Sequence, residues 1–467
     1  MDKPSTVIIK RDEHAISRRD IDPDALNVLY RLKHAGQAAY LVGGGVRDLL
    51  IGRKPKDFDV ATDAHPRKIR VLFRNSFLIG RRFKLVHVKF GDKVIEVSTF
   101  RKQPQPELEV DTEHPSLLQF RDNTYGSPEE DARRRDFTIN GLFYDIRSFS
   151  VIDHVGGMED IQKRTVRSIG DPVIRFQEDP IRMIRAIRFS SRLKFVIDPM
   201  AWNAILMHHD KILLASRARL LEEIFRLFHF ESSGRAFRLL HECGLLGDIV
   251  PEITSYLASS DHAQYHVFWD CLAALDSKIG LQKGAEPLPR LMLAILFLPL
   301  VLNNITQMGA SVQNVPYSAI AAEVIKPFAL RFNLPKAIYF PLMFMFDALH
   351  KLQSNPFEHG KAGRGKAIRF ASNEAFPCAI ALRRIHLAAL AAADERARRH
   401  GTPAAVGTIR VGGTSGHRFD ARIAHGLEIL KQWEGLLNES RCSGEFAHQA
   451  GGRPRGPRRR PHWPPRR

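Results

Sequence analysis

Along the first third of the chain the apolar positions change period several times, and each change marks a new element. Between Asp24 and His34, residues Leu26, Leu29, Tyr30 and Leu32 recur at helical spacing and Gly36 ends the run. Ala38 to Val42 is a short apolar strand that runs into Gly43-Gly44-Gly45, and Val46 to Ile51 suits a short helix. Asp57 to Ala61 is predicted as the second strand, His65 to Phe73 as a helix and Phe77 to Ile79 as a further strand. Leu85 to Phe90 and Lys93 to Phe100 alternate on either side of Gly91-Asp92, which predicts a hairpin. In its second strand Val94, Glu96 and Ser98 share one face, and Ile95, Val97 and Thr99 share the other. Gly141 to Ile146 and Val151 to Asp153 predict a closing strand pair.

Between these strands, residues 102–132 show no clean periodicity and predict a loop. Glu129 to Asp131 opens a helix expected to carry Arg133 to Asn140. Asp153 to Asp160 is a glycine-rich turn flanked by acids, and from Ile161 onward strand signals stop. Pro180 to Leu193 predicts a helix with Arg182, Arg185 and Arg188 along one stripe. Asp179 precedes Pro180, where an N-cap aspartate ahead of an N1 proline belongs. Helical patterns continue to about Leu352, and the apolar run Leu291 to Leu302 is too short to span a bilayer. Residues 355–370 and 401–420 predict loops, Ile380 to Arg399 a long helix and Leu427 to Leu437 a last short one.

The pattern therefore predicts an α+β chain: a mixed-sheet head followed by all-α neck and body domains. The expected boundaries are a lead-in at 1–23, a head at 24–164, a neck at 165–246 and a body at 247–355. A C-terminal region follows at 356–440, with a basic tail at 441–467. Residues 1–22 show no regular pattern and predict an irregular lead-in.

Charge changes this picture. The 467 residues hold 70 Lys and Arg against 51 Asp and Glu, a net charge of +19, which suggests a polyanionic partner. Gly451 to Arg467 holds seven arginines, five prolines and no acid, so it is expected to be disordered and to hold phosphate backbones without reading sequence. Cys243, Cys271, Cys378 and Cys442 form no CxxC pair, which argues against a zinc knuckle or a disulfide framework. The charged N-terminus lacks a signal-peptide core, so a soluble, cytoplasmic protein without a membrane span is expected.

The chemistry centres on Asp57 and Asp59. Two carboxylates one residue apart on a strand point the same way and repel unless a cation lies between them, and hard Mg²⁺ prefers such oxygens. The strand–glycine–helix segment ahead of them turns backbone N–H groups toward an anion, with Arg47 as an added phosphate contact. Glu96 is a lone acid among β-branched residues and a candidate third carboxylate, and Arg101 follows its strand.

Five segments, LVGGGVRD (41–48), KDFDVAT (56–62), RRDFTIN (134–140), IDHVGGMED (152–160) and EDPIRMIR (178–185), occur in an order that resembles the class II nucleotidyltransferases. That family contains the tRNA CCA-adding enzymes and the bacterial poly(A) polymerases. The segment Leu78 to Val88, with Arg81-Arg82, and the arginine-rich tail with Arg458, Arg459 and Arg460 resemble the polymerase branch. The resemblance implies a polymerase-β-like head, two Mg²⁺ ions held by Asp57 and Asp59, and ATP as substrate. It makes Asp57, Asp59 and Asp136 catalytic residues, Asp136 with a role left open, and Glu96 the candidate third metal ligand. It also implies that Gly43, Gly44, Arg47 and Arg101 cradle the triphosphate while Asn140, Asp179, Arg182 and Arg185 serve the nucleotide. RNA 3′ ends are the implied partner, with Arg81, Arg82 and the tail arginines as contacts and RNA-degradation machinery as a further associate. A CCA-adding enzyme and a catalytically inactive RNA-binding adaptor are the alternatives.

Overall fold

The computed structural model describes residues 6–80, 85–102, 125–282, 284–308, 316–357, 360–399 and 423–438. These fall into two compact units, one within Met1–Glu223 and Arg238–Ile249, the other within Ile224–Phe237 and Val250–Arg467.

The first unit is built on eight strands: β1 (Val7–Ile9), β2 (Ala39–Val42), β3 (Asp59–Thr62), β4 (Ser76–Ile79), β5 (Leu85–Phe90), β6 (Lys93–Thr99), β7 (Leu142–Asp145) and β8 (Ser150–Asp153). They lie in the order β1-β8-β7-β2-β3-β6-β5-β4. Only β3 and β6 run parallel among the neighbours, so the sheet is mixed, as the pattern predicts. Leu41, Val60, Val97 and Tyr144 occupy one row across the sheet and are fully buried. Helix α1 (Pro23–His34) adds Val28, Leu29 and Leu32 to that core. It starts cleanly because Asp22 accepts from the Asp24 N–H at 2.9 Å and Pro23 takes a position whose N–H has no helical partner. The opposite face of the sheet buries a second cluster of Val42, Ala61, Phe100, Ala132 and Phe143.

Several elements depart from the sequence pattern, each through a contact distant in sequence. Val7–Ile9 is not an irregular lead-in but an edge strand paired with β8. Asp57 lies just ahead of β3 rather than within it. The helix Pro128–Arg133 stops before Asp136, and Thr138–Asn140 forms a separate 3₁₀ turn. Strand pairing resumes after residue 161, where Thr165–Val166 joins Val196–Ile197 in parallel. Asp179 does not cap the arginine-bearing helix Ile181–Leu193; its carboxylate accepts two N–H bonds from Arg219, at 2.8 and 3.2 Å, instead.

The second unit is helical. Pro289–Gln307 and Phe376–Arg399 are long and apolar enough to cross a membrane by length and composition, but Leu291 to Val301 is buried without interruption. Core packing accounts for that composition. Gly360–Ala371 is a helix where the glycine and lysine content predicts a loop. Residues 423–438 form the last described helix, and its Trp433 Nε1–H donates to the Ser354 carbonyl at 3.1 Å. The glycine-rich run at 401–420 and the tail at 441–467 lie outside the described residues.

Candidate active site

Strand β2 ends at Gly43, whose φ of +71° and ψ of −135° belong to a region that side chains avoid. A β-carbon there would meet Arg135 Nη1 at 3.0 Å and Asp59 Oδ2 at 4.0 Å. The turn thus brings bare backbone up to a carboxylate and a guanidinium, and helix α2 (Gly44–Leu50) leaves from it.

Asp59 opens β3 opposite Val42 on one side and Glu96 on the other. Cross-strand neighbours share a face, so the two carboxylates stand side by side on the face away from α1. Glu96 is paired in turn with His87 of β5, whose Nε2 lies 3.1 Å from Glu96 Oε1. Asp57 approaches from the loop, and its carbonyl oxygen lies 3.4 Å from where a Gly45 β-carbon would be. Burial, then the Glu96 charge, push the Asp59 carboxyl up to about 6; Asp57 adds to the rise and Arg135 opposes it.

The donor set of Asp57, Asp59 and Glu96 fits Mg²⁺, being hard oxygen and acid-rich. Among the described residues no three acidic, histidine or cysteine side chains converge closely enough to form a complete protein cage. Mg²⁺ is commonly held by one or two carboxylates with water and substrate phosphate completing the shell, so a partial set is the expected form.

Asp136 belongs to a different arrangement. Its Oδ2 accepts from Arg185 Nε at 2.8 Å and Nη2 at 2.5 Å, and its Oδ1 accepts from Asn140 Nδ2 at 3.0 Å and the Phe137 N–H at 2.8 Å. Burial alone would raise the Asp136 carboxyl, but Arg185, Asn140 and the Phe137 N–H together hold it well below the usual carboxylate range. Both oxygens thus accept hydrogen bonds from these donors, whereas Glu96 stands beside Asp59 on the neighbouring strand.

Arg47 is similarly committed. It is 2% exposed, donates through Nε and Nη2 to Asp48 Oδ1 and through Nη1 to Asn140 Oδ1, and lies 5.1 Å from the Phe189 ring. Arg192 Nη2 donates to the other Asp48 oxygen at 2.7 Å. A continuous hydrogen-bonded chain, charged except for the Asn140 amide at its centre, therefore runs Arg192–Asp48–Arg47–Asn140–Asp136–Arg185, and on through Glu223 to Arg188. It ties the glycine turn to the helix Ile181–Leu193. In this geometry Arg47, Asn140 and Arg185 hold the turn in place from beneath.

The remaining sequence candidates are scattered around this centre. Arg182 donates to the Arg175 carbonyl at 3.0 Å and to Glu178 at 3.1 Å, while Asp179 faces Arg219. Arg101 bridges Tyr125, and its backbone N–H donates to Asp131 at 3.2 Å. Arg81, Arg82, Arg458, Arg459 and Arg460 lie outside the described residues.

Three residues that the sequence pattern does not single out sit at the site. Arg135 donates through Nη2 and Nε to Asp131 Oδ2, at 2.9 and 3.3 Å, while Nη1 donates to the Asn140 carbonyl at 3.4 Å beside the turn at Gly43. Asp48 anchors two arginines, and His87 backs Glu96. Arg135 and Asp48 stand inside the RRDFTIN and LVGGGVRD segments, so the signal for them is present in the sequence; only the fold shows which way they point.

Residues 39–167 match the family described as "Poly A polymerase head domain", and residues 194–257 match one described as "Probable RNA and SrmB- binding site of polymerase A". Poly(A) polymerase I of Salmonella typhi is 44% identical over 289 residues, which cover 61% of this chain and 62% of that protein. The chain thus spans about three fifths of the length of that relative. The CCA-adding enzyme of Lactobacillus helveticus is 36% identical over 230 residues, covering 49% of this chain and 56% of that one. In fold, the Bacillus stearothermophilus CCA-adding enzyme, solved with CTP, superposes with a TM-score of 0.56 at 24% identity, over 91% of this chain and 100% of that one.

Proposed function

We propose that the protein is a template-independent polynucleotide adenylyltransferase that adds AMP from ATP to RNA 3′ ends. The observation that carries this is the row Asp59–Glu96 beside the Gly43 turn, in a chain more similar to poly(A) polymerases than to CCA-adding enzymes.

Asp57, Asp59 and Glu96 would hold two Mg²⁺ ions. Such ions supply charge stabilisation at the entering and leaving oxygens of an in-line displacement at phosphorus. The chain's own groups do the positioning. Bare backbone at Gly43 and Gly44 lets a triphosphate approach Asp59 without a side chain intervening, and Arg135 Nη1 faces the same space. Arg135 is oriented by the buried Asp131, so its guanidinium is fixed before substrate arrives. The buried chain from Arg192 to Arg185 fixes the turn relative to the helix that bears Arg182. Asp179 and Arg182 would read the base once Arg219 and Glu178 yield those contacts.

RNA grip is assigned to residues 194–257, to Arg81 and Arg82, and to the arginine tail. We place the activity in the cytoplasm, on RNA passed to degradation machinery. Supplying the pure protein with a tRNA lacking its CCA end and with an unstructured RNA separates the readings. Long adenosine tracts on the unstructured RNA are expected. Addition that stops at CCA on the tRNA alone would indicate a CCA-adding enzyme, and no addition to either would indicate an adaptor.

A further inference from the structure

A cavity of about 520 Å³ lies in the first unit, away from the carboxylates, and the reaction proposed above makes no use of it. It is lined by Arg11, Arg18 and Arg19 together with Tyr30, Tyr144 and Phe149. Tyr144 shares its sheet row with Leu41 and Val60, whereas Asp59 shares its row with Val42 and Phe143. Side chains alternate faces along a strand, so the cavity and the acidic row stand on opposite faces of the sheet.

Its chemistry is specific. Among the described residues none of the three arginines has a carboxylate partner: Arg11 donates to the His14 carbonyl at 3.1 Å, and Arg18 donates to the Tyr30 hydroxyl at 2.9 Å. The guanidinium carbon of Arg18 also lies over the Phe149 ring, 4.6 Å from its centre, and the side chain is exposed, so the pair can offer a surface of the kind on which bases stack. Tyr144 is fully buried, yet its hydroxyl has no hydrogen-bond partner. A buried, unsatisfied hydroxyl beside a cavity is a donor waiting for a ligand atom. Phe149 adopts a left-handed backbone, φ +55°, and its carbonyl lies 2.9 Å from His14 Nε2, so the fold holds this ring in place against its own preference.

We propose that this cavity is a second nucleotide site, which takes a nucleoside phosphate on the back of the sheet. Arg11 and Arg19 neutralise the phosphate, the Arg18–Phe149 stack receives the base, and the Tyr144 hydroxyl bonds a polar atom of the ligand. The volume lies within the range of about 300–1,000 Å³ typical of small-molecule sites, and the ring and leucine surface at Phe149, Tyr30 and Leu26 would be wasted on a bare phosphate ion. The ligand has two possible sources, a free nucleotide or one nucleotide of an RNA strand.

Equilibrium dialysis of the full chain with radiolabelled ATP, and separately with a labelled tetra-adenylate, tests the proposal. The variants are Arg11→Ala/Arg18→Ala and Tyr144→Phe, each checked by its urea unfolding midpoint. The double variant is expected to bind one equivalent fewer than the unaltered chain. Tyr144→Phe is expected to keep the equivalent with affinity weakened about threefold to tenfold, the worth of one neutral hydrogen bond. An equivalent lost with ATP identifies a free nucleotide, and one lost with tetra-adenylate alone identifies a unit of RNA. Counts in the double variant that match those of the unaltered chain for both probes, or unaltered affinity in Tyr144→Phe, overturn the proposal. Because the readout is a difference between chains, it holds even if the acidic row binds no ATP.

Discussion

Arg185 closes on Asp136 with two N–H bonds, at 2.8 and 2.5 Å, although 49 residues separate them in sequence. The contact places Asp136 at the centre of the hydrogen-bonded chain that runs from Arg192 to Arg185. Removing one partner of a buried pair costs up to about 3–5 kcal/mol, and here Arg185 would keep only Glu223, 3.5 Å away. Asp136→Asn is therefore expected to lower the urea midpoint at neutral pH. The pH dependence follows from the depressed carboxyl. Its contribution is complete above the ordinary aspartate value near ~4 and is lost as pH falls below that, toward the lower folded value. The gap between the unaltered chain and Asp136→Asn, measured by unfolding from pH 7 to pH 2, should narrow at the acid end.

Glu96 should behave in the opposite way. Its side chain is 47% exposed, touches His87 alone among the described ion pairs and repels Asp59, so Glu96→Gln should not lower the unfolding midpoint. The Mg²⁺ concentration for half-maximal ATP incorporation should rise by about tenfold or more. Unfolding and Mg²⁺ titration of the two variants together assign the third carboxylate.

Asp57→Ala and Asp59→Ala should each lower incorporation by roughly 10²–10³-fold, the rate equivalent of a few kcal/mol of lost transition-state charge stabilisation. RNA affinity, measured by filter binding, should hold.

Gly43→Ala places a β-carbon 3.0 Å from Arg135 Nη1 on a backbone that side chains avoid. The strain is about 1–3 kcal/mol. The expected result is a raised KM for ATP, measured by initial rates, with RNA affinity unaltered.

Deleting residues 451–467 removes seven arginines. The slope of log affinity for single-stranded RNA against log salt should become shallower by about 0.7 for each phosphate that the tail no longer neutralises.

Much of the head was legible because its signals are local. The β5–β6 hairpin follows from alternation around Gly91, which takes φ +58°, and the facing of Glu96 follows from that alternation. Its pairing with Asp59 is where a parallel neighbour would put it. What stayed hidden depends on partners far along the chain. A capping position for Asp179 is sound in isolation, but Arg219, 40 residues on, draws the carboxylate away. The role of Asp136 is open in the sequence because its partner, Arg185, lies 49 residues on. Arg47 resembles a phosphate contact in sequence, whereas Asn140 and Asp48 bury it. The two-residue strands Thr165–Val166 and Val196–Ile197 are too short to carry a period. The Gly360–Ala371 helix defies its own glycines, which tertiary packing can outweigh.

The most direct test supplies the pure chain with Mg²⁺, an unstructured RNA and each nucleoside triphosphate in a separate reaction. The account predicts long tracts from ATP, little or no extension from the other three, and loss of the tracts in Asp59→Ala. CTP incorporation equal to that of ATP, or undiminished tracts in Asp59→Ala, would contradict it.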